Sequence, residues 1–186
     1  APIMICILAT AMASTAQFVL FTYLAPSFKL AFNATSQDVA VYFAAYGVVG
    51  VAGSVAMATI VDRIGAHRAA FVGFAAMGTS FVLWPLVTDL ASAIVMSIPW
   101  ALACFASNSA QQARLAALAP ALTAGSVALN SAAMYGGQAA GSALGGWLIA
   151  IGWIDRLHLT AAAGIVLALW VSQRASRSAA NSGATR

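Results

Sequence analysis

The sequence predicts an all-α, polytopic membrane protein with six transmembrane helices. Two observations carry this. Of 186 residues, 62% are hydrophobic and only 6% charged, and those few charges divide the chain into long uncharged runs. An ordinary soluble domain is about a quarter charged and under half apolar. Four acids and eight Lys/Arg cannot cover a globular surface of this length. A water-soluble enzyme and a soluble nucleic-acid binder are thereby excluded, and the hydrophobicity is the reverse of a disordered chain's. The net charge of +4 has no basic cluster outside the C-terminal tail with which to hold nucleic acid.

With His taken as neutral, uncharged runs cover 1–28, 39–61, 69–88, 90–113, 115–154 and 157–173. A helix needs about 20 apolar residues to cross the hydrocarbon. Helices are therefore expected over 3–28, 38–60, 69–87, 91–111, 124–150 and 158–173, the last short and relying on tilt or snorkelling. Two spans and a turn do not fit in the fifth run, and Ala119-Pro120 breaks its first third. Residues 115–123 accordingly read as a loop or surface helix. The bundle fills 1–173, and the polar RASRSAANSGATR of 174–186 is expected to be an unstructured cytoplasmic tail. Cys6 and Cys104 lie deep in uncharged stretches and read as free, apolar thiols. The opening APIMIC has neither an initiator Met nor a basic n-region, so the chain reads as the continuation of something longer.

Orientation follows from the basic residues. With the N-terminus inside, Arg63, Arg68 and Arg114 fall in inner loops, and Arg174, Arg177 and Arg186 in the tail. Lys29 and Arg156 fall outside. Cytoplasmic segments carry the excess of Lys and Arg, so both termini are expected in the cytoplasm.

Small residues are concentrated. Gly137, Gly141 and Gly145 recur every four residues behind Ala133, leaving one bare helix face; Gly50, Ser54 and Ala58 make a weaker version. Such faces admit close helix approach, either within the bundle or against another domain. The second and fifth helices also echo one another. Tyr46-Gly47, Gly53-Ser54 and Asp62-Arg63 answer to Tyr135-Gly136, Gly141-Ser142 and Asp155-Arg156, with gaps differing by one and four residues. Two inverted three-helix repeats are the expected arrangement.

The loop after the second helix runs from Gly53 through Asp62-Arg63-Ile64-Gly65-Ala66-His67-Arg68. It resembles the G…DRxGRR-type cytoplasmic loops of the major facilitator superfamily. Ala66 and His67 stand before the basic residue, and Ala58 replaces the glycine expected four residues ahead of Asp62. QQARLAALAP and LNSAAMYGGQAAGSALGGWL are similar to helices ten and eleven of bacterial drug and sugar (arabinose-type) efflux permeases of that superfamily. The resemblance spans the chain as the C-terminal six helices of a twelve-helix protein. It implies secondary active efflux of small molecules by alternating access, in a bacterial inner membrane, with an N-terminal six-helix half or a second copy as partner. In physical terms Gly65 permits a tight turn, and Asp62 can meet Arg63, Arg68 or a helix N-terminus while the cytoplasmic side is closed. These four residues are the expected gating loop; the alternative is a plain positive-inside anchor.

No Asp, Glu, Lys or Arg lies at mid-membrane depth, where proton relays usually sit. Either coupling to a proton gradient, expected of such a permease, draws on another part of the protein, or transport is not proton-driven. No cofactor and no metal are expected, since no His/Asp/Glu cluster occurs. An intramembrane enzyme would need a His at membrane depth, and His67 and His158 sit at helix ends. A structural or assembly protein would account for the small-residue faces but not for the loop.

Polar stripes mark where a substrate could sit. Thr10, Ser14, Gln17 and Phe21 share one face of the first helix; Ser97, Trp100, Cys104, Ser107 and Gln111, with Asn108 alongside, share one of the fourth. Ser126, Asn130, Met134, Gln138 and Ser142 form a third stripe. Polar groups facing lipid are costly, so these stripes face protein or water. Gln17, Phe21, Trp100, Asn108, Asn130 and Gln138 are the cavity candidates, a lining suited to neutral or amphipathic compounds. The resemblance implies that the first and fourth helices line the cavity, with the second and fifth flanking it between halves. The third and sixth, Gly73 among their residues, are expected toward lipid.

Overall fold

A computed structural model describes residues 2–118 and 120–183; the side chains of 2, 57, 58, 60 and 175–183 lie outside the described residues. Among the described residues seven helices follow one another: α1 (Pro2–Phe21), α2 (Leu24–Phe32), α3 (Ser36–Ile64), α4 (Ala66–Leu83), α5 (Leu90–Leu118), α6 (Thr123–Ala150) and α7 (Leu157–Gly183). Short 3-10 turns occupy Trp84–Leu86, Pro120–Leu122 and Ile154–Arg156. Among the described residues no strand occurs.

Among the described residues five segments are long and apolar enough to cross a bilayer: Ile3–Phe21, Ser36–Ala56, Ala66–Leu86, Leu90–Leu118 and Ile154–Arg174. The expected sixth, α6, is 28 residues long and uncharged. Its glycines, Asn130 and Gln138 interrupt it, so its most apolar stretch falls short of those five segments.

Three boundaries differ from the expectation by well over one helical turn, each for a local reason. The helix expected over 3–28 is broken after Phe21, and α2 restarts at Leu24. Pro26 has no N–H to give Thr22, and its ring crowds the carbonyl four residues back, which favours a break there. The helix expected to end at 111 continues to Leu118, making Arg114 a helical residue rather than a loop one. Leu115 there is fully buried and packs with Cys6 and Ile7, which rewards the added turn. The helix expected to stop at 173 continues to Gly183. Arg174 begins that extension, its guanidinium 3.6 Å over the Trp170 ring. The tail side chains, Arg177 and Arg186 included, lie outside the described residues, as does Ala58.

Several helix ends are capped. Thr35 and Asp38 form a capping box at α3. Ser92 N–H donates to Asp89 Oδ1 at 2.8 Å while Asp89 N–H donates to Ser92 Oγ at 3.0 Å, so α5 begins the same way. These bonds hold the exposed Asp89 carboxyl below its usual range. At the end of α6, Gly152 takes φ 82°. Trp153 N–H there reaches Leu148 O at 2.9 Å, and Gly152 N–H reaches Ile149 O at 2.9 Å, a Schellman closure.

Packing follows a simple scheme. α1 lies against α6 and α7, α5 lies against α3 and α4, and α4 meets α7. Small residues make these contacts possible. A Cβ at Gly137 or Gly141 would strike the carbonyl oxygens of Ala11 and Thr15, and one at Gly145 would lie 2.5 Å from Val19 O. The glycine face of α6 is therefore occupied by α1, inside this bundle. On α3, Gly53 meets Leu102 O and Gly50 meets the Phe105 ring. Gly73 is not toward lipid: it is buried, and a Cβ there would strike Ser107 Oγ on α5. Likewise Gly164 of α7 meets Ala16 of α1. The outer faces of α4 and α7, with Val82, Val166 and Leu167, are exposed and apolar.

Candidate functional site

α1 and α5 run antiparallel through the middle of the bundle, and their polar stripes meet. Trp100, fully buried on α5, donates its indole Nε1–H to Gln17 Oε1 at 3.1 Å. Cys104, one turn on, donates Sγ–H to the same oxygen at 3.4 Å. Gln17 is itself 6% exposed, so one buried amide oxygen carries two interhelical bonds. Trp100 also gives its backbone N–H to Ser80 Oγ of α4 at 3.0 Å. Its neighbour Pro99 sits inside α5.

Aromatic rings close around this pair. Trp100 lies 5.6 Å from Phe21, 5.5 Å from Tyr46 and 4.9 Å from Phe81, all edge-on. Phe21 also meets Phe43 at 5.5 Å and Tyr46 at 5.5 Å. Edge-to-face pairs at these separations are favourable beyond their buried area. The buried hydroxyls of Tyr42 and Tyr46 make no hydrogen bond of good geometry; Ser97 and Cys104 are their polar neighbours. The sequence reading missed this α3 contribution, although aromatics at 42, 43 and 46 share a helix face. In a segment that is apolar throughout, that spacing does not stand out.

Further along the same seam the chemistry turns polar. Gln111 Nε2–H donates to Thr10 Oγ1 at 3.1 Å and to Cys6 O at 3.2 Å. Arg114 donates to Gln111 Oε1 at 3.4 Å, to Ser172 Oγ at 2.9 Å and to Ser172 O at 3.0 Å, tying α5 to α7. Arg114 lies about 36 Å along α5 at 1.5 Å per residue, beyond a hydrocarbon core of about 30 Å. Between the two clusters is a cavity of about 20 Å³ lined by Ser14, Gln17, Ser107, Asn108, Gln111 and Met134, among others. That is room for about one water. Ser107 Oγ at its wall is buried without a partner.

Of the predicted cavity residues, Gln17, Phe21 and Trp100 are brought into one cluster. Asn130 donates Nδ2–H to Asn108 Oδ1 at 3.5 Å, linking α6 to α5 beside the small cavity. Gln138 is half-buried away from both groups, and its backbone carbonyl accepts from Ser142 Oγ at 3.0 Å. Ser142 itself meets Thr22 at 2.7 Å and accepts at its carbonyl from Tyr23 Oη at 2.7 Å.

At the predicted loop, a single residue joins α3 to α4. Gly65 has φ 82° and ψ 150°, a region that L side chains rarely enter. Asp62, Arg63 and Arg68 are exposed around it. Among the described residues Asp62 forms no ion pair with either arginine; the pair that forms is Asp155 with Arg156 at 3.9 Å.

The family model described as Major Facilitator Superfamily matches residues 6–186. No curated protein matches the chain.

Proposed function

Because the chain belongs to the major facilitator superfamily and so to a class of multi-pass membrane transporters, we propose that it is a six-helix half of a secondary transporter. It exports small neutral or amphipathic molecules by alternating access. The observation that carries the reading is the α1–α5 cluster, in which a buried amide and indole are walled by Phe21 and Tyr46, with no charged side chain present. An amide offers hydrogen bonds to hydroxyls and carbonyls, and aromatic faces accept apolar rings. Export, rather than uptake, rests on the likeness of 111–120 and 129–148 to efflux permeases.

The two-repeat arrangement is part of this reading. Exchanging α1 with α5, α3 with α6, and α4 with α7 turns the contacts of α1 into those of α5 and leaves the α4–α7 contact unchanged. Glycines follow the same exchange: Gly50 and Gly53 of α3 face α5 as Gly137, Gly141 and Gly145 of α6 face α1. In this scheme α6 is the sixth crossing, its polar residues screened by α1 and α5. Both termini are cytoplasmic. The Gly65 turn faces the partner half, and Asp62, Arg63 and Arg68 engage it when the cytoplasmic side closes. Asn108, Asn130 and Gln138 supply secondary polar contacts to the substrate.

The test is efflux of a labelled neutral sugar and of a lipophilic dye from vesicles carrying the whole protein, normalised to inserted protein. Gln17→Leu and Trp100→Phe are each expected to lower the rate of the transported probe tenfold or more. Rates equal to the unsubstituted protein for both variants would remove the cluster from the substrate path.

A further inference from the structure

The end of the bundle marked by the Gly65 turn carries a groove of about 440 Å³ between α4 and α7. It is lined by Ile64, His67, Arg68, Phe71, Val72 and Gln173. Its composition is unlike that of the seam inside the bundle. Phe71 and Val72 are 37% and 52% exposed, so the wall is open and apolar, and no Asp or Glu lines it. Arg68 is exposed and stands three and four residues before those two on α4, hence on the same face.

Position along the helix gives this face a direction. Arg68 lies at the start of the membrane-long segment Ala66–Leu86, and Gln173 at the end of Ile154–Arg174. Cation and amide therefore sit at headgroup level, while Phe71 and Val72 point the groove into the acyl region. Two further features place positive potential there. α4 begins without a side-chain cap, and the positive end of its helix lies at that level. Arg174, next to Gln173, is stacked on Trp170, which holds a second guanidinium at that end of α7.

We propose that this groove is a binding site for an anionic phospholipid, its phosphate on Arg68 and an acyl chain along Phe71 and Val72. Basic pockets between membrane helices at the cytoplasmic side suit such headgroups. A free phosphate would meet the arginine but leave the apolar wall uncovered; a zwitterionic lipid would cover the wall but bring its own cation to Arg68. Only the anionic lipid satisfies both. This inference needs only membrane-spanning α4 and α7; beside the proposed gating, Arg68 serves the lipid while the cytoplasmic side is open and the partner half when it closes.

The experiment uses the whole protein purified in detergent and exchanged into mixed micelles of phosphatidylglycerol and phosphatidylcholine, with bound lipid counted by native mass spectrometry. Preferential retention of phosphatidylglycerol is expected, lowered about fivefold by Arg68→Gln, the order expected of one basic side chain at an anionic surface. Phe71→Gln should lower it too, with Arg68 intact. Arg63→Gln, on the same side but outside the groove, and Arg156→Gln, at the opposite end, should leave retention unchanged. Equal retention of the two lipids, or an equal loss for Arg63→Gln and Arg68→Gln, would overturn the site in favour of diffuse surface charge. Displacement of the lipid by millimolar glycerol phosphate would overturn the lipid as occupant in favour of a soluble phosphate.

Discussion

Gln17 Oε1 accepts from both Trp100 and Cys104, and this shared acceptor makes an asymmetric prediction. Gln17→Leu leaves a buried indole N–H unpaired, which costs about 1–3 kcal/mol. Trp100→Phe removes the donor but keeps a ring for Phe21 and Phe81, so the lost bond costs nearer the ~0.6 kcal/mol typical between membrane helices. Denaturation midpoints in mixed micelles should rank the two variants in that order; the reverse order would mean that the ring, not the bond, holds α1 to α5. Gly65 offers a second test. Its Cβ space is open, so Gly65→Ala is penalised by backbone conformation alone, by about 1–3 kcal/mol. An unchanged midpoint for that variant would contradict the turn geometry. Gln17, Trp100 and Gly65 were all legible in the sequence, because polar spacing and a glycine between charged residues are local signals. Tyr42, Tyr46 and Phe81 were not, because an aromatic in a uniformly apolar helix looks the same whether it meets lipid or Trp100.

Elements separate the face a helix presents from the neighbour that takes it. The four-residue spacing of Gly137, Gly141 and Gly145 shows a bare face, but spacing carries no information about what lies on it. The structure puts α1 there, with Thr15 O against Gly141. Gly73 was misplaced for the converse reason: one glycine in a helix without a polar stripe carries no sign of the Ser107 that fills its space. The α1–α2 break was similarly invisible to a division of the chain by charge, although Pro26 favours it. On α6 two glycines make a controlled pair. Gly141→Ala forces a Cβ onto Thr15 O, and overpacking of this kind typically costs about 1–3 kcal/mol. Gly136→Ala meets nothing within 4 Å and should stabilise the helix by about 0.5–1 kcal/mol through lost backbone freedom. Loss of folded protein for Gly141→Ala with gain or no change for Gly136→Ala, read by size-exclusion recovery and unfolding midpoint, is the expected pattern. Equal behaviour would mean that α6 does not lie tightly on α1.

For the whole molecule, composition alone was enough to predict a helical membrane protein, and five apolar segments agree. The contested element is α6, whose interspersed polar residues and glycines keep it out of the five strongly apolar segments. If α6 crosses, the two three-helix units have opposite topology and the exchange of contacts between them follows from inverted repeats. Were it to lie along the surface, the orientation of α7 would reverse and the repeat would fail. The direct measurement places single cysteines at Leu122 and Asp155, on either side of α6, in a protein whose Cys6 and Cys104 are replaced. Each is labelled with a membrane-impermeant maleimide before and after cell permeabilisation. Asp155→Cys is predicted to label from outside in intact cells, and Leu122→Cys only after permeabilisation. Labelling of both positions from the same side would contradict the six-crossing, two-repeat transporter half.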